Sequence, residues 1–220
     1  MKYDVIIICN NYSERLEAVL FYWSQMDYAF TLHVVTNQQD LKTQKVVSSY
    51  IDKINIRLHI YSGNKIHNKG YLIKYCLDRI QESDYIVLTD ADMVFHKDLL
   101  LKTSLYLNEE TLISSFREDI SEIDVDLFFS LYKKKRYTWV WDDVKREMVS
   151  RSPFMGWFLV FPFKVVNKID FHVNHEGYDI IDWKIYGQLL SLGLKERLVY
   201  FDYSPLHIYH GEKGKNWKGI

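Results

Sequence analysis

With 220 residues, a formal net charge of −1 and a pI near 6.7, the chain has the length of one α/β domain with a substantial core. That charge balance argues against a nucleic-acid binder that works by neutralising many phosphates. The two cysteines, Cys9 and Cys76, lack the Cys-x-x-Cys spacing of a zinc or redox pair and read as reduced thiols. The opening residues lead straight into a strand without a leader, and no apolar run approaches ~20 residues. A cytoplasmic protein is the expectation.

In chain order, the β-branched run Val5 to Cys9 predicts a strand. Asn11-Tyr12-Ser13 then offers caps for a helix carrying Leu16, Val19, Leu20 and Trp23 on one face. A strand follows near residues 32–36, a helix near 40–51, a strand near 54–61, a helix near 70–80 and a strand over 85–89. This alternation predicts an α/β fold with a mostly parallel central sheet flanked by helices. A helix near 97–107 and a strand near 112–116 come next, and residues 117–155 carry no readable period. A strand opens at Gly156-Trp157, a helix spans about 181–192, and Gly193 is its C-cap. The tail from Gly211 has little to bury and reads as a mobile closing segment or simple fraying. No repeat or linker divides the chain, so one domain over 1–220 is expected, with halves at 1–95 and 96–220.

The most informative stretch is Asp84-Tyr-Ile-Val-Leu-Thr-Asp90-Ala91-Asp92-Met-Val-Phe95. Strand alternation predicts that Asp90 and Asp92 point the same way at the carboxyl end of a buried strand, where mostly parallel sheets bind ligands. Two hard oxygen donors there suit Mg²⁺ or Mn²⁺, and that cation in turn can hold a diphosphate. Aromatic residues make up 16% of the chain and suit stacking on sugar or base rings, besides filling the core.

Taken together, these pieces resemble GT-A-fold glycosyltransferases, and among them the galactosyltransferase-type group with a C-terminal metal-binding histidine. The group's Arg-Asn-Arg-x-Glu-x-Leu loop is similar to Asn10-Asn11-Tyr12-Ser13-Glu14-Arg15-Leu16, without either arginine; this implies Asn10, Asn11 and Glu14 beside the uridine. Its Phe-Asn-Arg segment resembles His67-Asn68-Lys69, which implies Asn68 on the nucleotide and Lys69 facing the phosphates. Its Asp-Val-Asp motif resembles Asp90-Ala91-Asp92: Asp92 would ligate the metal, while Asp90 would contact ribose or a metal-bound water. Gly156 and Trp157 join the substrate-binding set. The acceptor loop resembles Glu176-Gly177-Tyr178-Asp179-Ile180-Ile181-Asp182, which implies Asp182 as catalytic base, with Ile181 where the group has Glu and Asp179 as the residue to compensate. His210 followed by Lys215-Asn216 matches the closing His…Lys-Asn spacing, so the implied metal set is Asp90, Asp92 and His210, with Lys215 on the substrate. An imidazole ligand favours Mn²⁺ over Mg²⁺. His207, three residues earlier, competes with His210 for that role.

The resemblance implies transfer of a hexose or N-acetylhexosamine, galactose or N-acetylgalactosamine first, from a UDP-sugar to a glycan or glycolipid hydroxyl, with inversion at Asp182. The segment Tyr132-Lys133-Lys134-Lys135-Arg136-Tyr137-Thr138-Trp139-Val140-Trp141 sets four cations among aromatic rings. It reads either as a peripheral contact with the anionic inner face of a membrane or as a solvated charged loop. Two other readings stand beside the transferase. A haloacid-dehalogenase-type phosphohydrolase also ends an apolar strand in Asp-x-Asp, and a sugar-nucleotide-binding module would keep the acidic pair without a working base.

Overall fold

The computed structural model describes residues 1–150, 157–174 and 181–210. Its centre is a seven-stranded sheet built from β1 (Tyr3–Ile8), β2 (Phe30–Asn37), β3 (Ile56–Tyr61), β4 (Tyr85–Asp90), β6 (Thr111–Ser115), β9 (Phe158–Pro162) and β10 (Lys195–Val199). The spatial order is β10-β6-β9-β4-β1-β2-β3. All pairings are parallel except those of β9, which runs antiparallel to β4 and β6. β1 is buried along its whole length, as a parallel strand covered on both faces must be, which explains its continuous apolar run.

Alternation sorts that run into two layers. Tyr3, Val5 and Ile7 of β1 pack with Leu16, Val19, Leu20 and Trp23 of α1 (Ser13–Trp23), and α2 (Leu41–Ser48) adds Val47. Ile6 and Ile8 pack on the opposite side with Leu72, Ile73 and Cys76 of α3 (Lys69–Leu77) and with Ile181, Ile185 and Leu189 of α7 (Ile181–Ser191). Asp40 caps α2 by accepting from the Thr43 N–H at 3.0 Å, and Asn68 caps α3 by accepting from Tyr71 at 2.7 Å. Gly193, at φ +88°, closes α7 as the sequence predicts.

A second, four-stranded sheet lies beyond the main sheet's carboxyl edge, in the order β5-β11-β7-β8. It joins β5 (Met93–Val94), β7 (Arg117–Ile120), β8 (Arg146–Ser150) and β11 (Leu206–His207). Here β11 pairs antiparallel to β5 and parallel to β7, which sets His207 opposite both Met93 and Asp119.

The predicted helix at 97–107 is shorter, as α4 (Leu99–Ser104). The unreadable stretch contains two short helices, α5 (Val125–Leu131) and α6 (Trp139–Asp142). The membrane reading of 132–141 fails for its rings. Trp139, Trp141 and Tyr132 are buried; the Trp141 indole N–H donates to the Ser204 carbonyl at 2.8 Å, and the Tyr137 hydroxyl donates to the Phe95 carbonyl at 2.9 Å. The cations remain exposed, and Lys133 and Arg136 form ion pairs with Glu17 and Asp142. Among the described residues, no helix is long and apolar enough to cross a membrane.

Candidate active site

β1 connects onward to β2 on one side and lies against β4 on the other, so the strand order switches direction between β1 and β4. The carboxyl ends of strands at such a switch point leave a crevice where α/β sheets hold ligands. β4 delivers Asp90 there as its last residue, directly opposite Ile8 of β1.

Asp92 arrives differently. The strand ends at Asp90, and residues 91–92 form a turn before β5, so the alternation argument for a shared face does not hold. Past that turn, Asp92 meets the second sheet. Its carbonyl accepts from the Ile208 N–H at 2.9 Å, and its Oδ2 lies 3.4 Å from His207 Nε2 and 3.3 Å from His210 Nε2. One donor atom each from Asp92, His207 and His210 lies within 4.8 Å of the others, and Asp90 is not in this group. His207 Nδ1 sits 3.1 Å from Asp119 Oδ1, a carboxylate behind the imidazole that fixes the ring and directs Nε2 toward Asp92. His210 Nδ1 is buried without a hydrogen-bond partner among the described residues, and the ring meets Tyr12 edge-on at 5.7 Å.

The electrostatics mark the pocket as a receptor for positive charge. Burial alone would raise Asp92, but the His207 charge and the hydrogen bonds of both histidines hold it well below the ordinary carboxylate range. Burial likewise opposes the imidazolium of His207, yet Asp92 and the Asp119 hydrogen bond push it up to about 9.

Asp90 belongs to a neighbouring ion cluster. Lys69 Nζ, at the start of α3, lies 2.9 Å from Asp90 Oδ1 and 2.9 Å from Asp182 Oδ2, at the start of α7. Burial works against the ammonium, but Asp182 and Asp90 raise Lys69 above its usual value. One cation serving two carboxylates leaves an excess negative charge. Desolvation raises Asp90, Lys69 lowers it, and the charges of Asp182 and Asp92 raise it again, for a net upward displacement. Gly70 makes this junction possible: a Cβ there would lie 1.8 Å from the Phe171 carbonyl oxygen and 3.4 Å from the Ile181 side chain. Only glycine lets α3 bring Lys69 so near the first turn of α7.

No protein-family model matches the chain, and no curated protein sequence does. Solved structures do. Staphylococcus aureus TarS in complex with UDP-GlcNAc superposes with a TM-score of 0.67 at 14% identity, covering 100% of this chain and 61% of that one. The mannosyltransferase PcManGT from Pyrobaculum calidifontis, in complex with GDP-Man and Mn²⁺, gives 0.65 at 14% identity, covering 96% and 58%. Glucosyl-3-phosphoglycerate synthase from Mycobacterium tuberculosis, with Mn²⁺, UDP and glucosyl-3-phosphoglycerate, gives 0.61 at 16% identity, covering 96% and 73%. The chain has the GT-A fold. It spans about three-fifths of the length of TarS residues 1–349 and of PcManGT.

Within the GT-A frame the remaining expected residues divide into rim and scaffold. Glu14 is exposed in the first turn of α1, and Ala91 lines the turn between the two aspartates. Asn11 takes the left-handed conformation at φ 62°, which asparagine tolerates, and donates its N–H to Asp40 Oδ2 at 2.7 Å. Asn10 is a latch: its amide donates to the Ile66 carbonyl and accepts from the Asn37 N–H at 3.0 Å, tying the ends of β1 and β2 to the loop before α3. Asn68 caps α3 and also donates to the Val173 carbonyl, so its amide oxygen and nitrogen are both engaged inside the protein. Trp157 sits wholly in the core; its indole N–H donates to the Ser115 carbonyl at 2.9 Å and Arg117 lies over its ring, so it does not form a site wall. Gly156, Asp179 and Lys215 lie outside the described residues.

Sequence reasoning missed Asp119 and the pairing that makes His207 and His210 joint neighbours of Asp92. The available signal was the His207-x-x-His210 spacing itself.

Proposed function

We propose that this protein is a metal-dependent glycosyltransferase that takes a hexose or N-acetylhexosamine from a UDP-sugar and places it on a glycan or glycolipid hydroxyl with inversion. Galactose or N-acetylgalactosamine is the first choice of sugar. The observation that carries the reading is the convergence of Asp92, His207 and His210 at the sheet's switch point, beside the Lys69–Asp90–Asp182 cluster. The Mn²⁺ in two GT-A neighbours supports it from outside.

The donor set fits a divalent cation. It offers one hard carboxylate and two imidazole nitrogens, His210 Nε2 already faces Asp92, and Asp119 backs His207. Asp92, His207 and His210 would hold Mn²⁺, His207 giving up the Nε2 proton that Asp92 now stabilises. When bound, the metal supplies Lewis-acid neutralisation of the leaving diphosphate. Lys69 adds a fixed positive charge to the phosphates and, through its 2.9 Å ion pair, holds the Asp182 carboxylate in place. Asp182, at the N-terminal end of α7, takes the acceptor hydroxyl proton as the sugar's anomeric carbon is displaced. In this reading residues 1–95 bind the nucleotide and 96–220 receive the acceptor.

The experiment is hydrolysis of a panel of nucleotide sugars by the purified protein with and without Mn²⁺, which requires no known acceptor. The reading expects Mn²⁺-dependent release of UDP, abolished in Asp182→Asn while UDP binding persists. Turnover equal in Asp182→Asn and wild type would remove the base; binding without turnover in either would leave the non-catalytic module. Phosphate release from phosphomonoesters would restore the phosphohydrolase.

A further inference from the structure

A second cluster of metal-ligating side chains, apart from the Asp92 group, lies inside the sheet–helix layer. His33 of β2, His59 of β3 and Cys76 of α3 each present one donor atom, all within 4.8 Å of one another. His33 and Cys76 are fully buried; His59 is half-buried on β3, an edge strand, and gives the cluster its contact with solvent. The two imidazoles stack with ring centres 5.1 Å apart and planes 16° apart, and His33 Nδ1 faces His59 Nε2 at 2.9 Å. Behind His33, Asp4 Oδ1 lies 2.7 Å from Nε2. That carboxylate fixes the tautomer with the proton on Nε2 and turns the bare Nδ1 toward His59 and Cys76.

We propose that His33 Nδ1, His59 Nε2 and Cys76 Sγ form a structural transition-metal site of the Zn²⁺ class, with Asp4 holding His33 in its ligating tautomer. The donor chemistry selects the metal: one thiolate and two imidazoles suit Zn²⁺ and disfavour Mg²⁺ or Ca²⁺. Geometry permits it, because Zn–N and Zn–S bonds of about 2.0–2.3 Å place tetrahedral donors about 3.3–3.8 Å apart. His33 Nδ1, bare, now accepts from His59 Nε2–H; on binding, His59 would carry its proton on Nδ1 instead, the two nitrogens would part by a few tenths of an ångström, and Cys76 Sγ, within 4.8 Å of both, would close on them. Charge also balances, since one thiolate and the Asp4 carboxylate together neutralise a divalent cation. Asp4 Oδ2 is buried without a hydrogen bond, the nearby Ser83 hydroxyl being turned to the Lys2 and Tyr85 carbonyls. Cys76 is a free, buried cysteine whose thiol is pushed up by burial and by the Asp4 charge, so it would release its proton only on binding the metal. The metal would tie β2, β3 and α3 together at the edge of the sheet, where β3 is the last strand among the described residues.

Titration of the metal-free protein with Co²⁺ tests this, because a thiolate ligand gives a charge-transfer band in the near ultraviolet that the oxygen and nitrogen donors of Asp92, His207 and His210 cannot. One equivalent should produce the band in wild type, in Cys9→Ser and in His210→Ala, and Zn²⁺ should displace it. Cys76→Ser should lose the band, and so should His59→Ala, whose half-buried edge position makes it the safer variant to fold. Asp4→Asn should weaken Zn²⁺ about 10–100-fold, the usual cost of losing a carboxylate behind a ligating histidine. No band in wild type, or a band that persists in His59→Ala or in folded Cys76→Ser, overturns the site and leaves the transferase reading untouched.

Discussion

The molecule contains two histidine clusters built on one plan and placed in opposite settings. At the sheet's carboxyl edge, Asp119 backs His207, which faces Asp92 beside His210. Under α3, Asp4 backs His33, which faces His59 beside Cys76. Both use a carboxylate to orient an imidazole, His207 toward the Asp92 carboxylate and His33 toward the His59 ring. The edge cluster lies by the carboxyl ends of β1 and β4, next to a lysine and two further carboxylates, where the proposed function puts the donor's diphosphate. The inner cluster is roofed by α3 and lies within the packed core, where a metal can only brace the fold. Position in the fold, more than the identity of the donors, separates a site for chemistry from a site for stability.

Breaking the edge site should cost turnover, and breaking the inner site should cost stability. The largest effect is expected for Asp182→Asn, with a fall of about 10²–10⁴-fold in Mn²⁺-supported nucleotide-sugar turnover and intact UDP binding measured by calorimetry. Next comes Asp92→Ala, expected to lose about 10²–10³-fold, as removal of one group that stabilises developing charge does elsewhere. Asp119→Asn should leave the ligands in place and weaken Mn²⁺ about 10–100-fold, seen as a higher metal concentration for half-maximal rate. His59→Ala should leave turnover unchanged while lowering the melting temperature of zinc-loaded protein; an equal effect on turnover would collapse the distinction between the clusters.

The smallest expected effect is a pH dependence of the metal-free protein. His207 is raised in the folded state from its ordinary 6.5 to about 9, with burial opposing the shift and Asp92 driving it. A base that holds its proton more tightly when folded stabilises the protein fully below about pH 6.5 and loses that contribution as pH rises through about 9. The melting temperature of metal-free protein should therefore fall between pH 7 and 10, and His207→Gln should flatten that decline.

Much of this was legible in sequence where local signals and tertiary roles agree. β1 and β4 announce themselves because strands buried on both faces carry nearly continuous apolar runs. The Asp90-Ala91-Asp92 unit was visible for the same reason, but its geometry was not: β4 stops at Asp90, and one turn sends the two carboxylates to different partners. The role of His207 depends on β5 and β11, strands of two residues each, too short for any period to show. Residues 132–141 misled for a related reason. Helices of seven and four residues complete too few turns to display a face, so the buried Trp139 and Trp141 looked like a surface aromatic belt. The inner cluster had no motif at all, since its four residues come from four elements joined by sheet register and helix packing.

In the proposed function, two imidazoles and one carboxylate at the sheet's edge hold the metal that grips the donor's diphosphate. Pulsed electron paramagnetic resonance of Mn²⁺ bound with UDP measures this directly, by counting nitrogen nuclei coupled to the metal. The account predicts two histidine nitrogens in wild type and one in each of His207→Ala and His210→Ala. A Mn²⁺–UDP complex with no coupled nitrogen, unchanged by either substitution, would contradict it.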